Sequence, residues 1–133
     1  MDEISVYIEA EINPTESESK VKQAIENILG NVETKVQPIY KGAILTAQAK
    51  GVETLTKLQN ILRRERIRDA ARKALSEGID GKIISFCLNK QVAFAGHVSF
   101  SKETAESPLG PIKIRINCEN PHQLVNWLTQ KNV

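Results

Sequence analysis

Positive charge is the most concentrated chemical feature of this sequence. The eleven positions 63–73, RRERIRDAARK, hold six basic residues, whereas the whole chain of 133 residues has a net charge of only +2. The six basic residues are Arg63, Arg64, Arg66, Arg68, Arg72 and Lys73. Guanidinium groups bind phosphate through paired hydrogen bonds and stack on exposed bases. The segment therefore indicates either contact with an anionic partner or a solvated helix face rich in arginine.

The spacing of the arginines favours the first alternative without excluding the second. Arg64, Arg68 and Arg72 recur every four residues, so a single helix would align them in a stripe about 12 Å long that reaches more than one phosphate. Glu65 and Asp69 lie three or four residues from several of these cations. They could neutralise about half of the charge in surface ion pairs worth tenths of a kcal/mol.

Charge is distributed unevenly along the chain. Residues 1–33 have a net charge of −6, residues 34–75 of +7 and residues 76–133 of +1. An anionic partner for the middle of the chain explains this polarity. Internal neutralisation, with the acidic N-terminal part folded against the basic middle, explains it equally well.

Residues typical of catalysis are few. His97 and His122 have no partner at metal-ligand spacing, and neither GxSxG, GxGxxG nor a P-loop is present. Cys87 and Cys118 each lie in an apolar run, as reduced cysteines with an apolar packing role do. We therefore expect no catalytic residues, no metal, no cofactor and no enzymatic activity. The absence of a long apolar run or a signal peptide predicts a cytoplasmic protein that does not enter a membrane.

Hydrophobic periodicity predicts the elements that position the basic segment. Alternation over 4–12 predicts a strand, and helical spacing from Asn13 to Gly30 predicts a helix that Asn13 caps. A hairpin with its turn near Lys41 follows, in which Pro38 marks an edge strand. Residues 52–77 read as two helices, or one bent helix, with the break near Arg63.

The second half of the chain is predicted to be rich in strands. Residues 82–100 read as two strands joined by an exposed hairpin turn at Asn89-Lys90, and alternation over 112–118 predicts another strand. Asn120 and Pro121 predict the start of a closing helix. The element order β-α-β-β-α-α-β-β-β-α predicts one α+β domain over 1–133, with a single-layer, largely antiparallel sheet and helices packed on one face.

The same patterns predict one core and disfavour one mode of RNA recognition. The expected core comprises Ile4, Val6, Ile8, Val21, Ile25, Ile28, Leu58, Leu62, Phe86, Ile114, Ile116 and Trp127. The chain has only six aromatic residues. Phe86, Phe94 and Trp127 lie in apolar patterns, so that Tyr7 alone clearly points to the solvent-facing side of a strand. Base stacking across a sheet is therefore disfavoured, and contact with the RNA backbone through the basic helix is favoured.

Several of these segments resemble a known family when they are taken in order. They are RRERIRDAARKAL, FCLNKQVAFAGHVSF, ESPLGPIKIRI and LVNWL. The chain resembles, over its whole length, a small family of uncharacterised archaeal proteins described as RNA-binding and as a predicted exosome subunit. The resemblance implies an α+β fold similar to that of a large-subunit ribosomal protein. It also matches Arg64, Arg66, Ile67, Asp69 and Arg72 to the basic helix of the family, and residues 89–91 to its hairpin.

The expected function is that of an RNA-binding accessory protein linked to RNA processing or ribosome-related assemblies. The expected RNA-binding residues are Arg63, Arg64, Arg66, Arg68, Arg72, Lys73, Asn89 and Lys90. The alternative is a protein–protein interaction module of an RNA-processing complex that does not touch RNA. In that case the loop around Pro108–Pro111 and the Asn89-Lys90 turn would form the docking surface.

Overall fold

A computed structural model describes residues 3–101 and 110–130. The strands are β1 (Ser5–Ile12), β2 (Glu33–Ile39), β3 (Gly42–Lys50), β4 (Ile79–Asp80), β5 (Ile83–Asn89), β6 (Phe100–Ser101) and β7 (Pro111–Asn117). The helices are α1 (Glu18–Leu29), α2 (Thr56–Arg64), α3 (Arg68–Glu77), α4 (Lys90–Phe94) and α5 (Pro121–Leu128), and a 3-10 turn over Val52–Leu55 precedes α2.

The strands form one antiparallel sheet with β1 and β7 at its centre. The strand order is β2-β3-β1-β7-β5-β4, and β6 pairs with the outer edge of β5. In the centre Ile8 lies opposite Ala47 on one side and Ile114 on the other, and all three are buried. Because side chains alternate along a strand, one face of the sheet is apolar and covered by the helices, whereas the other is polar and open. The predicted fold class is confirmed.

A single hydrophobic cluster joins the covered face to the helices. Every predicted core residue is buried except Trp127, which is only partly buried against the cluster. Phe94, also assigned to an apolar pattern, is 45% exposed. It lies in α4, where the ammonium of Lys20 is 5.8 Å from the centre of its ring.

The predicted interruption of the helical region is confirmed, and the predicted start of the first helix is wrong. Helices α2 and α3 are separate, with the break at residues 65–67. Helix α1 begins at Glu18, because Asn13 and Glu16 close their own turn. Oε1 of Glu16 accepts hydrogen bonds from the backbone and side-chain nitrogens of Asn13, at 3.0 and 2.7 Å. At the closing helix, Asn120 does cap as predicted, since its Oδ1 accepts from the backbone of Gln123.

The predicted hairpin turn at Asn89-Lys90 is wrong. Strand β5 ends at Asn89, whose Oδ1 accepts a hydrogen bond from the backbone of Val92 at 3.0 Å and so caps α4. A short helix thus replaces the expected strand over 90–94. By contrast, β2 is an edge strand as Pro38 indicated, and all of its residues except Thr34 are exposed.

Two further properties of the described residues bear on function. Cys87 is half-buried and Cys118 is buried, and burial raises the pKa of the Cys118 thiol. None of the described helices is long and apolar enough to cross a lipid bilayer.

Candidate nucleic-acid interface

The six cations of 63–73 lie on a corner between two helices rather than on one helix. Helix α2 ends at Arg64, and the amide of Glu65 still donates to Ile61. Arg66 has a backbone φ of 55°, in the left-handed region. The chain then turns, and α3 begins at Arg68. The predicted stripe of arginines on a single helix is therefore wrong, because the left-handed residue separates Arg64 from the two arginines of α3.

Glu65 fastens this corner to the segment that follows α4. Its carboxylate accepts hydrogen bonds from Nδ1 of His97 at 2.5 Å, the backbone of Val98 at 3.4 Å and Nη2 of Arg64 at 3.3 Å. Arg64 also donates to the carbonyl of Gly96 at 3.1 Å. Burial by itself would raise the pKa of Glu65, but the three hydrogen bonds together outweigh it and lower the pKa below its ordinary value. Glu65 thus has a structural role at the corner.

Most of the remaining positive charge has no acidic partner among the residues that the structure describes. In the ranges 3–101 and 110–130, the charged groups of Arg66, Arg68 and Lys73 form no hydrogen bond or ion pair. Arg72 donates to a neutral atom, Oδ1 of Asn126 in α5, at 2.6 Å. Asp69, which could have neutralised α3, forms no ion pair with any described residue. The charge on this helix is therefore open to an outside anion.

Arg63 differs from the other five cations. Its side chain is half-buried at the end of α2, and its Nε is fully buried with no partner among the described residues. A buried donor without an acceptor costs about 1–3 kcal/mol. Arg66, Arg72 and Lys73 are exposed, and Arg68 is half-buried. We call these four residues, Arg66, Arg68, Arg72 and Lys73, the basic corner.

Two of the predicted RNA-binding residues have structural roles instead. Asn89 caps α4 through its side chain. Lys90 is only 3% exposed, and its Nζ donates to the carbonyl of Glu11 at 2.6 Å and to Oε1 of Glu16 at 2.9 Å. A buried ammonium that already has these acceptors cannot reach a phosphate in solvent. The assignment of Lys90 to a binding surface is therefore wrong. The sequence alone could not show that a backbone carbonyl of β1 and the carboxylate of Glu16 surround its ammonium.

The uncovered face of the sheet is the second polar surface of the molecule. Tyr7 lies on β1 at its centre, with Gln48 of β3 opposite on one side and Arg115 of β7 on the other. A broad groove of about 840 Å³ follows this face and reaches the outer edge of β5. The residues that line it include Ser85, Cys87, Lys113 and Asn117. Sequence alternation placed Tyr7 on the open side, but only the strand register reveals its neighbours.

The described residues contain no group of three or more His, Cys, Asp or Glu side chains arranged to hold a metal ion. Cations, amides and hydroxyls dominate the polar groups of both surfaces, although Asp69 lies on the first and Glu9 and Glu77 line the second. Such groups bind phosphates and the edges of bases.

Comparison with known proteins identifies the family. A family model described as RNA binding matches residues 5–118. The chain belongs to this RNA-binding family. The matched region contains the basic corner and all of the strands described above. The resemblance drawn from the sequence motifs is thereby confirmed.

Members of the family that are similar to this chain are archaeal UPF0201 proteins. The chain is 44% identical to the UPF0201 protein of Sulfurisphaera tokodaii over 126 residues, which is 95% of this chain and 87% of that protein. It is 42% identical to the one from Sulfolobus acidocaldarius, with the same coverage. The family description names binding and does not name catalysis.

Solved structures agree with the fold. The crystal structure of a UPF0201 protein from Methanococcus jannaschii has a TM-score of 0.84 at 29% identity, over 94% of this chain and 98% of that chain. A DUF54 protein from Methanothermobacter thermautotrophicus has a TM-score of 0.61 at 16% identity, over 97% and 100% of the two chains. The second comparison shows that the fold is shared even at 16% sequence identity.

Proposed function

We propose that this protein binds RNA by placing the basic corner against backbone phosphates. The observation that carries the proposal is that Arg66, Arg68 and Lys73 hold their charge with no acidic partner among the described residues. Arg72 adds a fourth cation whose partner, Asn126, is neutral. Membership of an RNA-binding family supplies the class of anion.

The charge of the segment supports this assignment over that of a solvated helix face. Residues 63–73 have a net charge of +4, while the rest of the chain sums to −2. Exposed ion pairs would have neutralised part of that charge, as the pair between Arg64 and Glu65 does at the end of α2. On α3 no such pair forms, and therefore phosphate oxygens are the natural acceptors for its forked guanidinium groups.

Contact with phosphates predicts binding that tolerates any sequence and depends strongly on salt. Each phosphate neutralised on a single strand contributes about −0.7 to the slope of log affinity against log salt concentration. Four cations therefore predict a slope of roughly −3. Arg68→Lys should keep that slope but weaken binding modestly, because lysine keeps the charge and loses the paired hydrogen bonds.

The test removes charge at the corner without unfolding it. A variant with Arg66→Gly, Arg68→Ala and Lys73→Ala loses three cations, and glycine suits the left-handed position. We expect weaker RNA binding than in a control variant with Lys20→Ala, Lys22→Ala and Lys82→Ala, which loses the same charge at other exposed positions. Equal weakening in the two variants would show that only net charge matters and would overturn the assignment.

The wider role we propose is that of an accessory protein in RNA processing or a ribosome-related assembly. A protein partner is the second candidate function, and it is favoured by one observation. On the edge hairpin Val36, Ile39 and Tyr40 are 38%, 42% and 88% exposed. A partner that binds there would be lost on Ile39→Lys, whereas RNA binding would be kept. Of the other proposed docking elements, the Pro108–Pro111 loop lies outside the described residues at positions 108 and 109, and the Asn89-Lys90 turn does not exist.

A further inference from the structure

The uncovered sheet face has the chemistry of a nucleotide site at its centre. Tyr7 is half-buried on the central strand. Its register partners, Gln48 and Arg115, both have planar groups able to hydrogen-bond in the plane of a base. Neighbouring side chains on adjacent strands are about 5 Å apart. A base stacked on Tyr7 would thus lie within reach of both.

These two side chains have no other role in the described part of the chain. Neither the amide of Gln48 nor the guanidinium of Arg115 forms a hydrogen bond or ion pair with a described residue, and both residues are exposed. The hydroxyl of Tyr7 makes one long hydrogen bond, to Glu9 at 3.4 Å. The amide and the guanidinium can therefore bind a ligand without breaking a bond within the protein.

We propose that this face binds one unpaired nucleotide of single-stranded RNA, with Tyr7 stacked on the base and with Gln48 and Arg115 hydrogen-bonded to the base edge and the adjoining phosphate. The proposal rests on the proposed function and extends it to a second surface. One aromatic residue takes one base, so this is not the array of stacked bases that several aromatic residues on a sheet would bind.

The composition of the groove favours RNA over a protein partner. The centre of a protein–protein interface is apolar and depleted of charge. Here the lining is charged: the cations Lys50, Lys113 and Arg115 outnumber the carboxylates of Glu9 and Glu77. The aromatic rings of Phe86 and Phe100 also line the groove. The volume of about 840 Å³ lies within the range of about 300–1,000 Å³ found for ligand pockets. Stacking together with charge is the chemistry that recognises single strands.

The test compares Tyr7→Leu with Tyr7→Phe in a binding titration. The probe is a fluorescently labelled single-stranded RNA of mixed sequence, and a duplex of the same length is run beside it. Stacking predicts that leucine weakens single-strand binding about tenfold, while phenylalanine, which keeps the ring, retains it. The salt slope should not change, because no charge is removed. Tyr40→Leu, at a tyrosine that is 88% exposed and outside the groove, is the matched control.

The outcomes separate this site from the basic corner. If Tyr7→Leu binds single strands as the wild type does, the nucleotide site is overturned, whatever the corner variant does. If Tyr7→Leu weakens binding and the corner variant does not, the site stands and the proposed function of the corner fails.

Photocrosslinking with 4-thiouridine RNA gives an independent readout: a crosslink on β1 or β7 supports the site, and crosslinks confined to α3 overturn it. A thermal melt of each variant confirms folding.

Discussion

The buried ion pair between Lys90 and Glu16 makes Lys90→Met a destabilising substitution. Nζ of Lys90 lies 2.9 Å from Oε1 of Glu16 and 2.6 Å from the carbonyl of Glu11. The two charged side chains are 4% and 11% exposed. Breaking one side of a buried pair costs about 3–5 kcal/mol, because a desolvated charge is left without its partner. Since Asn13 still donates two hydrogen bonds to Glu16, we expect the lower end, about 3 kcal/mol.

Urea unfolding followed by circular dichroism measures this loss of stability. The matched control is Lys82→Met, which breaks the exposed pair between Lys82 and Glu119, 3.0 Å apart with side chains 64% and 58% exposed. That change should cost less than about 1 kcal/mol. Similar small losses in both variants would refute the argument from burial. The double variant Lys90→Met with Glu16→Gln should lose less stability than the two single changes added together.

The same pair predicts how stability depends on pH. Burial would raise the pKa of Glu16, but the hydrogen bonds from Asn13 and Lys90 outweigh it, and the pKa is lowered. A carboxylate with a lowered pKa stabilises the fold above its ordinary pKa, and this stabilisation disappears as the pH falls through the lower value. The difference between wild type and Glu16→Gln should therefore shrink on acidification. A difference that stays constant as the pH falls through that range would contradict the role of the charged form.

Three further predictions follow from backbone and corner geometry. Arg66→Gly should raise the free energy of unfolding by about 1 kcal/mol, because glycine accepts the left-handed φ of 55°; urea titration measures it. Gly78→Ala should cost about 2 kcal/mol, since the added Cβ would lie 1.9 Å from the carbonyl oxygen of Ser85; unchanged stability would contradict that contact. Glu65→Gln should destabilise the fold most above the ordinary glutamate pKa and progressively less as the pH falls, because the pKa of Glu65 is lowered; urea unfolding across pH tests this.

Strand and core positions were predictable because alternation is a direct consequence of strand geometry. Ile4, Val6 and Ile8 alternate with polar residues, and the structure buries all three. The break between α2 and α3 was equally visible, because two apolar stripes could not share one straight helix. Local pattern was enough in these cases, since burial on one face constrains every second or every third to fourth residue.

The errors arose where one residue type serves two purposes. Asparagine is favoured both in tight turns and at helix N-caps, so Asn89 predicted a hairpin and instead begins α4. Asn13 was assigned as a cap for the same reason, but it hydrogen-bonds with Glu16 in a turn that precedes α1.

The error at Lys90 has a different cause. Its burial depends on residues more than seventy positions away in sequence, which no local pattern reveals.

The candidate surfaces were only partly predictable. Composition identified the basic segment but not which of its cations form hydrogen bonds within the protein. Arg64 donates to the carbonyl of Gly96 and Arg72 to the side chain of Asn126, and both acceptors are distant in sequence. The surroundings of Tyr7 depend on strand order, which brings Arg115 of β7 next to Tyr7 although the two are more than a hundred positions apart. Long-range register of this kind appears only in the folded chain.

The salt dependence of RNA binding tests the central claim most directly. The measurement is the affinity of wild type and of the variant with Arg66→Gly, Arg68→Ala and Lys73→Ala for one single-stranded RNA over a range of salt concentrations. Contact through the basic corner predicts a wild-type slope of roughly −3 that falls in magnitude by about 2 in the variant, with weaker binding to every sequence alike. A wild type without measurable affinity, or two equal slopes, would contradict the claim and leave the corner as a solvated surface.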